Sequence, residues 1–168
     1  MVEIAPPEIH YLRAAEGWLM LGNPHEADAE LRLIGHSNAE HPDVLEIQWR
    51  LYAARKQWDE ALEISRRLVD AAPDRSLAWI HQSYTLHEMR QTDEAWTVLL
   101  PAAERFPEEP TIAYNLACYA CQLGMFQDSR HWLRRAARIA SRDEILSSAL
   151  NDPDLAPLRH ELNAILRS

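Results

Sequence analysis

The chain has 168 residues, 47% of them hydrophobic and only four of them glycine, which suits a packed, helix-rich protein and excludes a disordered one. A net charge of −9, with Lys56 as the sole lysine, leaves no general basic surface for non-specific binding of nucleic acid. The opening MVEIAPPEIHYLRAAEGW has no basic stretch followed by an apolar core, and no apolar run approaches a membrane span, so neither a signal peptide nor a membrane helix is expected and the chain is placed in the cytoplasm.

In chain order, the first helical pattern stops at Gly22, where a short turn between helices needs positive φ. Asn23-Pro24-His25-Glu26 then supplies an N-cap, a proline at the first helical position and a capping-box glutamate. This second helix is expected to end near Gly35, because GHSNAEHPD lacks a proline at Ala39 and carries Pro42 instead. Pro42 opens the third pattern, WDEALEIS the fourth, and Pro73 follows it. SLAWIHQSYTLHEMR sets Leu77, Trp79, Ile80, Tyr84 and Leu86 at helical spacing. Thr92 is expected to cap the next helix, TDEAWTVLLPAAERF, whose first-turn acids suit the positive end of the helix dipole. Pro101 inside it removes a backbone hydrogen bond and predicts a kink, costing about 3 kcal/mol if uncompensated. Pro110 opens the following helix, Gly124 marks its end, and FQDSRHWL begins another. Finally, Asp152 and Pro153 predict the N-cap and first turn of a last helix running to about Arg167.

These patterns pair at a fixed interval. Ala27, Ala61, Ala95 and Ser129 are each 34 residues apart, all small, with His25, Asp59, Asp93 or Gln127 two positions earlier. Pro73 and Pro107 stand twelve residues after the second and third, and Gly22 and Gly124 five before the first and last. A small residue there marks the closest crossing of an antiparallel helix pair, where a leucine would overpack by about 1–3 kcal/mol. A 34-residue helix–turn–helix with this small residue and a terminal proline resembles the tetratricopeptide repeat. The resemblance covers residues 8–41, 42–75, 76–109 and 110–143 as four units, with a cap over 144–168. It implies a single all-α domain, a right-handed α-solenoid. The tail NDPDLAPLR is also similar to tails that follow such repeats in bacterial proteins of unassigned role.

The family places a small residue midway along each first helix. Ala15, Ser83 and Ala117 fit, whereas Trp49 is too large, which predicts local repacking or splaying in the second unit. A solenoid also leaves the apolar face of its last unit bare, and Leu155, Leu158, Leu162 and Leu166 fall on one face to cover it.

The resemblance further implies that first helices line a concave groove holding a peptide or a partner helix. Carried onto this sequence, the groove positions are Leu12, Arg13, Glu16 and Met20; then Glu46, Arg50 and Ala53; then Ile80, His81, Tyr84, His87 and Glu88; then Tyr114, Asn115, Cys118, Cys121 and Gln122. Aromatic and arginine side chains dominate interface energetics, and this set contains both, although Tyr84 and Tyr114 fit packing between units equally well. Some relatives clamp the carboxylate end of a chaperone with Lys, Asn and Arg. The matching positions here, Leu12, Glu16, Ile47, Leu77 and His81, or one unit on Glu46, Arg50, His81, Thr111 and Asn115, lack that basic set.

No local motif points to catalysis. The eight histidines are scattered, with no phosphate loop, His-Glu-x-x-His or Ser–His–Asp spacing. CYAC at 118–121 puts two thiols on one helical face, with His87 as a third soft ligand, one short of a closed zinc site; small buried cysteines are the commoner reading. No cofactor and no metal are expected.

One charge feature stands apart. Arg130, Arg134, Arg138 and Arg142 recur every four residues, while residues 1–48 carry nine acidic and two basic residues. Such a stripe is most often a solvated face, and the sharper reading is head-to-tail self-association or docking of an acidic partner. The sequence therefore points to a non-catalytic adaptor that binds a protein or peptide in the groove. A self-assembling structural module is the alternative, and a secretion-type chaperone of this repeat class a further one.

Overall fold

A computed structural model describes residues 4–167, so Ser168, the end of the expected cap, lies outside the described residues. Among them the secondary structure is helical throughout: α1 (Glu8–Met20), α2 (Pro24–Leu31), α3 (Pro42–Ala54), α4 (Trp58–Ala71), α5 (Ser76–Glu88), α6 (Thr92–Leu99), α7 (Ala102–Arg105), α8 (Pro110–Gln122), α9 (Phe126–Ile139), α10 (Arg142–Asn151) and α11 (Leu162–Ile165), with 3₁₀ turns at His36–Asn38 and Pro153–Leu158. The chain divides into two compact units, Met1–Thr85 and Leu86–Ser168, and α5 crosses the division. No helix among the described residues is long and apolar enough to cross a membrane.

The turns inside the helix pairs obey one rule. Gly22, Lys56, Arg90 and Gly124 have φ of 72°, 56°, 65° and 75°, at intervals of 34 residues. At each, the positive-φ residue donates its N–H to the carbonyl three back, and the next residue donates to the carbonyl five back: Gly22 to Leu19 and Asn23 to Trp18, then Lys56 to Ala53 and Gln57 to Tyr52. Arg90 to His87 and Gln91 to Leu86, and Gly124 to Cys121 and Met125 to Ala120, complete the set. This is the Schellman arrangement, which satisfies the last carbonyls of a helix and needs one left-handed residue to do so. The two expected glycines are there; Lys56 and Arg90 hold the same conformation against the Cβ clash that glycine avoids.

After each turn the next helix begins at once, and the small residue in its first turn is buried. Ala27, Ala61, Ala95 and Ser129 are all fully buried. In the fourth pair the Ser129 hydroxyl donates to the Ala117 carbonyl of α8 at 2.8 Å, so the one polar member of the series is satisfied where the helices meet. In the first unit α1 packs on α2 and α3 on α4, around Leu12, Leu31, Val44, Ile47 and Leu51, and a second cluster holds Leu45, Ile64 and Leu68. In the second unit α8 packs on α9, with Ile112, Leu116, Tyr119 and Leu133 fully buried.

Four local expectations need correction. The second helix stops at Leu31, before Gly35, and a 3₁₀ turn follows. The Glu8 carboxylate accepts from the Gly35 N–H at 2.8 Å and from the Asn38 side-chain amide, so loop and α1 are tied by polar contacts that no helix pattern encodes. A Cβ on Gly35 would stand 2.7 Å from Glu8 Oε1, so a larger residue there would require the Glu8 carboxylate to shift. Thr92 is the first residue of α6 and Gln91 holds the cap position; the Thr92 hydroxyl instead meets His87 Nδ1 at 3.0 Å. The Pro101 kink is a break: α6 ends at Leu99, and Pro101 becomes the residue before α7. The expected last helix is a 3₁₀ turn followed by the short α11, although Asp152 does cap, accepting from the Asp154 N–H at 2.9 Å. Leu155, Leu158, Leu162 and Leu166 are buried as expected.

Trp49 is accommodated by local repacking. It is 9% exposed, lies flat on His81, and donates its indole N–H to the Thr85 hydroxyl at 2.9 Å, while that hydroxyl donates to the His81 carbonyl.

Candidate functional site

The groove positions separate into open, buried and occupied ones. In the first unit, α1 and α3 bound a cleft of about 280 Å³ lined by Ile9, Leu12, Arg13, Glu16, Asp43, Glu46 and Ile47. The apolar floor comes from Leu12 and Ile47, both buried, and the rim is charged. Glu16 and Arg50, one repeat apart, pair at 2.9 Å, and Arg75 reaches Asp43 at 2.6 Å and Glu46 at 4.0 Å. Burial raises the Glu46 carboxyl above its ordinary range, more than the nearby Arg75 and Arg50 charges draw it down. The cleft therefore presents a half-buried carboxylate incompletely compensated by its own cations. Arg13 and Glu16 are exposed on its rim, and Met20 is 77% exposed at the end of α1. Ala53 is half-buried on α3.

Several α5 positions are closed. Ile80 and His81 are buried, and the His81 Nε2 has no hydrogen-bond partner among the described residues. Burial first, and then the Arg50 charge, bring the His81 pKa down to about 4, so the imidazole is neutral and serves as a stacking partner for Trp49. Tyr84 is exposed, with its ring edge-on to Trp49 and Trp58 at 6.3 and 6.1 Å. Glu88, at the end of α5, is exposed.

In the second unit the corresponding face is already covered, by the chain's own residues 152–158. The Tyr114 hydroxyl donates to Asp152 Oδ2 at 2.9 Å and the Cys118 thiol lies 3.6 Å from the same oxygen. His87 Nε2 meets Asp154 Oδ2 at 2.9 Å, and the Gln122 amide donates to the Asp154 carbonyl at 2.8 Å. Because a carboxylate only accepts, His87 Nε2 is the donor to Asp154, while its Nδ1 meets the Thr92 hydroxyl at 3.0 Å. Burial, together with the carboxylates of Asp152 and Asp154, pushes both the Tyr114 phenol and the Cys118 thiol upward, so both stay protonated donors. Cys121 is buried and shifted the same way, first by burial. Asn115 is half-buried on α8. The two free cysteines are therefore packed thiols, one of them a hydrogen-bond donor.

The arginine stripe is partly engaged by the same tail. Arg130 pairs with Glu161 at 2.8 Å, and Arg134 Nε donates to the Ile165 carbonyl at 3.3 Å. Arg135 donates to the Ala103 carbonyl at 2.7 Å. Arg138 and Arg142 are exposed and, with Leu166, border a pocket of about 130 Å³.

The sequence matches no protein-family model and no curated protein. Among solved structures, a MamA chain from Desulfovibrio magneticus RS-1 superposes with a TM-score of 0.73 at 14% identity, over 98% of this chain and 96% of that one. A thermophilic TPR protein of Thermus thermophilus gives 0.70 at 18% identity, over 96% and 100%. YrrB, described as a TPR protein with an unusual peptide-binding site, gives 0.68 at 12% identity, over 96% and 87%. These likenesses establish the fold, an all-α solenoid of the tetratricopeptide type.

Proposed function

We propose that this chain, with its tetratricopeptide-repeat fold, is a non-catalytic adaptor that binds a protein or peptide segment along its first helices, and that the α1–α3 cleft is the open part of that surface. The observation that carries the reading is the cleft itself: an apolar floor of Leu12 and Ile47 beneath a rim on which Glu46 is half-buried and under-compensated. A segment pairing an aliphatic side chain with a Lys or Arg fits both, since the cation adds to the long Arg75 contact at Glu46 and the aliphatic group fills the floor. The peptide-binding site described for YrrB, on the same fold, supports the assignment by analogy.

The test is a pull-down with the wild type beside an Arg13→Glu/Glu46→Lys variant of unchanged circular dichroism. A protein held by the wild type and lost with the variant, whose bound segment maps to an aliphatic residue beside Lys or Arg, supports the assignment. Equal capture by both would move the working surface off this cleft.

A further inference from the structure

We infer that the second unit recognises an acidic segment of the form Asp-x-Asp-Leu-x-x-Leu, and that residues 152–158 of this chain are its resident occupant, displaced by a partner protein that carries the same chemistry. This rests on the reading of first-helix faces as binding surfaces, and it names the ligand class of the second-unit face.

Covering the end of a helical array requires only apolar burial, and Leu155 and Leu158 provide it. The polar contacts go well beyond that need. His87 on α5 and Tyr114, Cys118 and Gln122 on α8 stand at positions assigned to a ligand groove on repeat register alone, and all four contact Asp152 or Asp154. Two carboxylates taken partly out of water are costly unless donors meet them, and here a phenol, an imidazole N–H and a thiol do. The segment is itself shaped for display. Pro157 keeps it out of an α-helix, and Asp152 Oδ1 accepts from the Asp154 N–H, so that both carboxylates meet donors on α5 and α8. A face that reads two acids and a carbonyl three residues or fewer apart selects acceptors; a lysine or an aliphatic residue in place of either acid would leave a buried donor unmatched.

Tethering gives the resident segment a high effective concentration, so a free peptide does not compete until the tether is weakened. The experiment therefore uses the full chain carrying Asp152→Ala/Asp154→Ala, titrated with a fluorescein-labelled peptide of residues 150–168 and read by anisotropy. The expected result is saturable binding to this variant, none to the wild type, and weakening of at least about tenfold when His87→Ala and Tyr114→Phe are added. A folded variant that binds no peptide, or binds it equally well after the His87 and Tyr114 changes, would overturn the inference. Should the variant lose its helicity, hydrogen exchange on the wild type decides. Amides of residues 155–166 are expected to exchange at least about tenfold faster than those of α8, as a separately opening segment does. Equal protection would make the tail one cooperative piece with α8 and refute displacement. Adding Arg13→Glu/Glu46→Lys to the tail-weakened chain leaves peptide binding unchanged, so failure of the first-unit cleft and failure of this site are told apart.

Discussion

Trp49 and His81 lie face to face, their ring centroids 3.6 Å apart and their planes 12° from parallel. The repeat puts a small residue at position 49 in its other units, and the tryptophan fits because a neutral imidazole and the Thr85 hydroxyl receive its two faces of chemistry, ring and N–H. Restoring a small residue should therefore destabilise the chain. Trp49→Ala is expected to cost about 3–5 kcal/mol, the range for emptying a buried aromatic site, measured as a loss of unfolding free energy in urea. A stability gain would mean that the stack is strained.

The same stack gives a pH dependence with a definite sign. His81 has a folded pKa of about 4, set by burial, against about 6.5 in an unfolded chain. Above the unfolded value both states are neutral and nothing is lost. As pH falls from there toward about 4, the unfolded chain takes up a proton that the folded one refuses, so stability declines, by up to about 3 kcal/mol in all. His81→Phe keeps a ring against Trp49 and removes the titration. Between pH 7.5 and 4.5 the variant should lose about 2 kcal/mol less than the wild type, read from urea midpoints at each pH.

The four Schellman turns predict opposite signs for one kind of substitution. Lys56→Gly and Arg90→Gly relieve a left-handed backbone and should each stabilise by about 0.5–1 kcal/mol, after the unfolded-chain entropy of glycine is deducted. Gly22→Ala and Gly124→Ala should each destabilise by about 1 kcal/mol, purely through the backbone, since nothing lies within 4 Å of the added Cβ. Thermal midpoints of the four single variants settle both.

Self-association through unlike ends remains testable on the exposed part of the stripe. With Arg130 and Arg134 engaged by the tail, Arg138 and Arg142 are the arginines to reverse. If the acidic first 48 residues of one copy meet them in another, the sedimentation coefficient rises with concentration at low salt and returns to its dilute value at high salt. Arg138→Glu/Arg142→Glu should abolish the rise; a salt-independent monomer would leave self-association without support.

The repeat was legible because it is written in residues that the backbone itself requires. Small side chains at the crossings and glycines at two turns are demanded by geometry, whatever the partner. Lys56 and Arg90 escaped notice since a long cation advertises no positive φ, yet the 34-residue step from Gly22 lands on both. The positions carried over from the repeat resemblance include the residues that meet Asp152 and Asp154, from His87 to Gln122. What it missed was the occupant: an Asp-Pro pair caps a 3₁₀ turn as readily as an α-helix, and Pro157 was the signal against a continuous last helix. His81, carried to the groove by the same register, is buried and stacked on Trp49, a pairing that no repeat position announces.

Lys56 has one more consequence. It is exposed at the left-handed turn between α3 and α4 and is the only lysine in these 168 residues. Every amine-directed event on a side chain, whether acetylation, ubiquitin attachment or a laboratory cross-linker, therefore has a single address in this sequence, on a turn held by two backbone hydrogen bonds rather than in the α1–α3 cleft or on α8. Lys56→Gly would relax that turn and erase the address in one step.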